Sequence, residues 1–135
     1  DGLLLNHLKD KKNITGFGIE KDKDNWLLSL KNGVDVIQMD LESGLAGFED
    51  NSFDVVISIN TVHNLDKDEC SVALQEIERV SQGKSFITVD AYRNDEEKEL
   101  MYAWNLTAKT IMHEDEWVRF FKDVGYTGDY YWFIP

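Results

Sequence analysis

The chain has 135 residues, of which 42% are hydrophobic and 12% aromatic, enough for a packed core in one domain and too apolar for a disordered chain. Its 26 acidic residues against 14 basic ones give a formal net charge of −12, which argues against duplex nucleic acid and anionic membrane surfaces as partners, because both are bound through clustered Lys and Arg. The single cysteine, Cys70, leaves no pair for an internal disulfide and no cysteine-built zinc site, and no apolar run nears the length of a membrane span. The sequence therefore reads as a soluble, cytoplasmic chain.

Leu3, Leu4, Leu5 and Leu8 predict a short amphipathic helix over residues 2–9. Residues 15–20 read as a strand ending in Glu20. Asp24 is the expected cap of a helix carrying Trp26, Leu27 and Leu30, with Gly33 as its stop. A β-branched strand over 34–39 ends at Asp40. The near-continuous apolar run at 53–59 predicts a strand buried on both faces. Cys70, Ala73, Leu74, Ile77 and Val80 fall on one helical stripe within 66–81, with Gly83 beyond it. A strand over 85–89 leads to Asp90. Helices are expected over 95–109, with Leu100, Met101, Trp104 and Ala108 inward, and over 114–124, with Trp117, Phe120 and Phe121 inward. His113 opens the latter helix in its cap region, and a last aromatic strand spans 130–134.

Strands thus alternate with helices, the signature of a parallel sheet with helices on both faces: an α/β, Rossmann-like, doubly wound fold in three layers. Four consecutive strands end in polar side chains: Glu20, Asp40, Asn60 and Asp90. In a parallel sheet these ends share one edge, the edge where ligands bind. Glu20 also follows Asp1-Gly2 by roughly the 20 residues that separate a glycine turn from a ribose-binding acid in nucleotide-binding α/β folds. A carboxylate suits that task because it accepts two hydrogen bonds from a vicinal diol.

The segments GFGIEKD, VIQMDL and FDVVISINTVHNL, in that order after Asp-Gly-Leu-Leu, resemble the class I S-adenosylmethionine-dependent methyltransferases, in particular the small-molecule type with the methyltransferase-11 pattern. The resemblance runs from Asp1 to about Trp132. It implies one domain over residues 1–135 whose first strand and most of whose glycine-rich loop would precede Asp1. It implies S-adenosylmethionine as cofactor, with Asp1 and Gly2 passing its methionine part and Glu20 binding the ribose. Lys21 and Leu41 would flank the adenine, and Asp40 would accept from its amine. Asn60 and Thr61 would line the methionine end, with His63 near the transferred methyl.

Methyl transfer to a hydroxyl needs a base, and His63 is the expected one because its ordinary pKa lies near neutrality. The resemblance places the acceptor after the fourth and fifth strands, with Tyr92 and Arg93 as the leading substrate residues and Tyr102, Trp104, Asn105 and the aromatic C-terminus nearby. The expected partner is a small-molecule acceptor, and the sequence allows a homodimer. The three histidines are too scattered to form a metal site. Two other functions share the pattern. A non-catalytic methyltransferase-like subunit would account for the missing first strand. A nicotinamide-dependent oxidoreductase would share Glu20 but leave Asp40 and the VHNL segment without a role.

Overall fold

Every strand pairing in the computed structural model, which describes residues 2–12 and 14–134, is parallel. The chain divides into two compact units, residues 1–41 and 42–135.

The first unit runs α1 (Leu3–Lys12), β1 (Gly18–Glu20), α2 (Lys23–Lys31) and β2 (Val36–Gln38). β1 and β2 pair from Gly18↔Val36 to Glu20↔Gln38, and the Met39 N–H extends the ladder by donating to the Glu20 carbonyl (3.0 Å). The α2 cap is Asp22, whose carboxylate accepts the Asn25 N–H at 2.9 Å; Asp24 instead sits in the first helical turn. Asp22 takes the cap because its backbone is extended (φ −71°, ψ 129°), as an N-cap requires. Trp26 ties α2 to the sheet by donating from Nε1 to the Val36 carbonyl (3.2 Å). Gly2 is needed where it stands: φ is +74°, and a Cβ there would lie 2.2 Å from Val34 Cγ2.

The second unit is built around β4 (Ser85–Tyr92). β3 (Val56–Ile59) pairs along one side, from Val56↔Ser85 to Ile59↔Thr88. β6 (Asp129–Phe133) pairs along the other, from Phe86↔Asp129 to Asp90↔Phe133. β5 (Met112–His113) joins beyond Asp90, through Ala91↔Met112 and Tyr92↔His113. The helices are α3 (Lys67–Ser81), α4 (Asp95–Trp104) and α5 (Glu114–Val124). α3 opens on a capping box in which Asp66 accepts the Glu69 N–H and Glu69 accepts the Asp66 N–H, both at 3.0 Å. Its expected stripe, Cys70 to Val80, is buried throughout. α5 buries Trp117, Phe120 and Phe121, and Phe121 packs on Tyr130 and Trp132 of β6.

Side chains alternate along a strand, so Phe133 leaves β6 on the face opposite Trp132. Trp104 of α4 stacks on Phe133 with centroids 5.2 Å apart. α5, which touches α3, therefore covers one face and the end of α4 meets the other. Parallel strands flanked by helices make this an α/β protein of the Rossmann-like kind. No helix among the described residues is long and apolar enough to cross a membrane.

Three expectations change. β3 is buried on one face only: Ser58 is covered, while Val55, Ile57 and Ile59 on the other face stay about half exposed. Among the described residues β3 has a strand partner on one side alone, and so does β1. α4 ends at Trp104 rather than near residue 109, because Asn105 Oδ1 accepts the N–H groups of Thr107 (3.1 Å) and Ala108 (2.8 Å), a local turn that competes with the helix. Leu100 and Trp104 stay about half exposed, and only Met101 of the expected inward set in α4 is buried.

Leu74 is fully covered, whereas Leu106 is 92% exposed. Leu74→Ala is expected to cost about 2–5 kcal/mol and Leu106→Ala no more than about 0.5 kcal/mol, as read from urea unfolding of each variant.

Candidate functional site

In the second unit the polar residues gather where β3 and β4 end. The chain leaves β3 through Asn60, whose φ of 48° lies in the left-handed region that Asn tolerates better than most side chains. Thr88 of β4 locks this bend. Its Oγ1 accepts the Asn60 N–H (2.8 Å) and donates to Asn60 Oδ1 (2.6 Å). Thr61 Oγ1 donates to the Ile59 carbonyl (2.9 Å), and Asn64 Nδ2 to the Asn60 carbonyl (3.2 Å). A short 3-10 turn, Val62–Asn64, then carries His63 into the interior, where it is 4% exposed.

His63 meets the end of β4. The Asp90 N–H donates to His63 Nδ1 at 2.8 Å, and the same nitrogen lies 3.7 Å from Asp90 Oδ1. The Asp90 carbonyl accepts from Trp117 Nε1 at 2.9 Å. The His63 carbonyl in turn accepts the N–H groups of Lys109 and Thr110, both at 3.0 Å. An Nδ1 that accepts a backbone N–H carries no proton, so the imidazole is neutral with its proton on Nε2. Burial agrees, holding the His63 pKa below its ordinary value while the Asp90 charge opposes the shift. Burial raises the Asp90 carboxyl above the ordinary carboxylate range, opposed by His63. His63 is therefore not a free base: one nitrogen is occupied and the other already protonated.

The expected acceptor residues lie around this centre with partners of their own. Tyr92 packs edge-on against His113 (5.7 Å), with Lys98 Nζ 5.4 Å from its ring centre. The Arg93 guanidinium is bonded to Glu97, which also accepts the Arg93 N–H (2.8 Å). His113 caps α5 by accepting the Asp115 N–H at Nδ1 (3.1 Å). Thr107 Oγ1 donates to Asn64 Oδ1 (2.9 Å), joining the segment after α4 to the turn that holds His63.

In the first unit, register brings the ends of β1 and β2 together. Glu20 Oε1 accepts the Asp22 N–H (2.9 Å), and Lys21 Nζ pairs with Asp40 Oδ2 at 2.6 Å. Leu41 follows in the 3-10 turn Leu41–Ser43. A glycine at φ +74°, an acid at the end of β1 and an acid just past β2 are residue types that fit a nucleoside cofactor. Asp1 lies outside the described residues.

Other chemistries find little support. Among the described residues no group of three His, Cys, Asp or Glu could hold a metal ion. Cys70 is fully buried and its thiol is pushed up to about 12 by burial, so it is no nucleophile at neutral pH. A hollow of about 660 Å³ lined by Asp50, Asn51, Glu78, Arg79, Gln82, Gly83 and Thr127 lies at the opposite end of β4. Its Arg79 is already bonded to Glu76 and Asp50.

Sequence reasoning singled out Asp90 only as a strand end, and it missed Thr88 and Trp117 as parts of this centre. The acid at the end of a strand was the available signal for Asp90. Thr88 gave none, since a lone Thr in a strand is ordinary.

The family model of methionine biosynthesis protein MetW matches residues 1–110. The chain belongs to the MetW family. This family is related to the S-adenosylmethionine-dependent methyltransferases, so the chain is a methyltransferase-like protein. The match takes in both groups of strand ends and stops before β5, α5 and β6. No curated protein and no solved structure matches the chain.

A histidine that folding keeps neutral stabilises the fold fully above its unfolded pKa of about 6.5, and that contribution is lost as pH falls below this value. Urea stability is therefore expected to drop between pH 7 and 5.5, and His63→Asn, which keeps an acceptor but cannot titrate, should flatten that slope. An unchanged slope in the variant would refute the assignment of a buried neutral imidazole.

Proposed function

We propose that the chain is a class I methyltransferase that uses S-adenosylmethionine to methylate a small-molecule acceptor. The observation that carries this reading is that the MetW-family match spans the parallel strand ends bearing Glu20, Asp40 and Asn60. In this reading Gly2 passes the methionine part, together with Asp1. Glu20 binds the ribose hydroxyls, Asp40 accepts from the adenine amine, and Lys21 and Leu41 flank the ring. Asn60 and Thr61 border the methionine end.

The bound cofactor supplies a methyl group activated on a sulfonium, and the protein's task is to hold an acceptor in line with it. The left-handed Asn60 and its Thr88 lock keep the β3 end rigid for that purpose. His63, neutral with its proton on Nε2, acts near the reacting centre as a hydrogen-bond donor and as a brace for Asp90 rather than as a ready base. Tyr92 offers a ring beside the strand end. Arg93 meets an anionic acceptor only by leaving Glu97.

A non-catalytic methyltransferase-like subunit is the second reading, favoured by the half-exposed face of β3 and its single strand partner among the described residues. Calorimetric titration with S-adenosylhomocysteine, beside a nicotinamide dinucleotide, separates them. The enzyme reading predicts binding of the first alone, weakened at least about tenfold by Glu20→Ala, the scale of losing hydrogen bonds to a charged group. Binding of neither would favour the subunit, and binding of the dinucleotide alone would overturn both.

A further inference from the structure

We propose that the second unit holds an acceptor bearing a hydroxyl on a planar ring, with the Trp104–Phe133 stack as its platform and the Asp90 carboxyl receiving the hydroxyl's hydrogen bond. That this ligand is a methyl acceptor rests on the methyltransferase reading; the ring site itself does not.

The juxtaposition follows from register. Asp90 of β4 is paired with Phe133 of β6, and paired residues of neighbouring strands send their side chains to the same face. Trp104 lies nearly parallel to Phe133, at 21° and 5.2 Å. Both rings remain open, Trp104 at 53% and Phe133 at 36% exposure. Tyr131, two residues before Phe133, leaves the sheet on the same face and is also exposed. Three aromatic rings left open beside a strand end form a surface on which a further ring can stack.

The polar half of the site is unusually well fixed. The N–H and C=O of Asp90 are both spent, on His63 and Trp117, which anchors the strand end on two buried rings. Its side chain is different. At 3.7 Å, His63 Nδ1 is beyond hydrogen-bond reach of Asp90 Oδ1 and already accepts the Asp90 N–H. Among the described residues no hydrogen bond reaches the Asp90 carboxyl, although the residue is only 5% exposed. Its oxygens are not sealed off, since among the described residues the buried side-chain atoms without a partner are Ser58 Oγ and Ser81 Oγ, so a ligand hydroxyl can reach the carboxyl and bond to it.

The two halves are tied through the turn at His63. The segment after Trp104 is bonded to that turn by Thr107 to Asn64, by Lys109 and Thr110 to the His63 carbonyl, and by Thr110 Oγ1 to the Leu65 carbonyl (2.8 Å). A ring with a hydroxyl engages both the platform and the carboxyl. An aliphatic alcohol engages only the carboxyl, and a bare arene only the platform.

The full chain, ¹⁵N-labelled, is titrated with phenol, cyclohexanol and toluene while backbone and indole N–H signals are followed. Phenol is expected to move the Trp104 indole and Asp90 amide signals and to bind at least fivefold tighter than either other probe. Trp104→Leu, a change at an exposed position, should weaken phenol at least fivefold, and Asp90→Asn should remove the preference over toluene. Equal binding of the three probes, no binding, or shifts centred elsewhere would overturn the proposal. Binding of S-adenosylhomocysteine without phenol at Trp104 overturns the ring site alone. Phenol at Trp104 without S-adenosylhomocysteine overturns the methyltransferase reading and leaves the ring site standing.

Discussion

The peptide groups of Asp90 hold two buried rings, one from each side of the chain. Its N–H is given to His63, and its C=O is taken by the indole of Trp117. β4 is the strand on which β3, β5 and β6 all depend, so whatever fixes its end fixes the sheet edge. His63 reaches that point because a 3-10 turn follows β3, and Trp117 because α5 starts directly from β5. Neither contact is available to an apolar side chain of the same size. A buried peptide group without a partner costs about 1–3 kcal/mol, so the two rings are structural requirements of this strand end whatever else they do.

From this follows the polar character of the edge. A parallel strand that runs out of partners leaves main-chain groups to satisfy, and short polar side chains do so without adding bulk. Thr88 and Asn60 satisfy one another and the Asn60 N–H. Thr61 and Asn64 take two carbonyls. The Asp90 carboxyl takes no part in these bonds, and its strand partner Phe133 carries one of the open aromatic rings. Structure and chemistry thus separate cleanly: His63 serves the fold first, and Asp90 is the group with hydrogen-bonding capacity to spare.

Much of this was legible in the sequence where local rules decide. The α3 stripe from Cys70 to Val80 and both bounds of α5 follow from helical periodicity and from Gly125, which adopts φ 77° at the C-cap. The strand ends at Glu20 and Asn60 were visible as abrupt changes from apolar to polar. The misses have particular causes. The 53–59 run puts Phe53, Val55, Ile57 and Ile59 on one face and Asp54, Val56 and Ser58 on the other, yet the covered residue is Ser58, because burial depends on which face the helices reach. Asn105 ends α4 by a side-chain turn that a helical pattern of Leu, Met and Trp conceals. β5 is two residues long, too short for any periodicity. Asp22 and Asp24 are both plausible caps by residue type, and only the backbone at Asp22 selects between them. The pairing of His63 with Asp90 joins residues 27 apart through tertiary contact alone.

MetW-family membership makes the chain methyltransferase-like, and the strand ends carry the residue types that such a role would use. The central claim is that these ends bind the cofactor. Amide chemical-shift mapping with S-adenosylhomocysteine tests it most directly. The account predicts perturbations at Gly2, Glu20, Asp40, Asn60 and Thr61, with Asn51, Gly83 and Thr127 at the opposite end of β4 unmoved. Perturbations centred on those three, or none at the strand ends at saturating ligand, would contradict it.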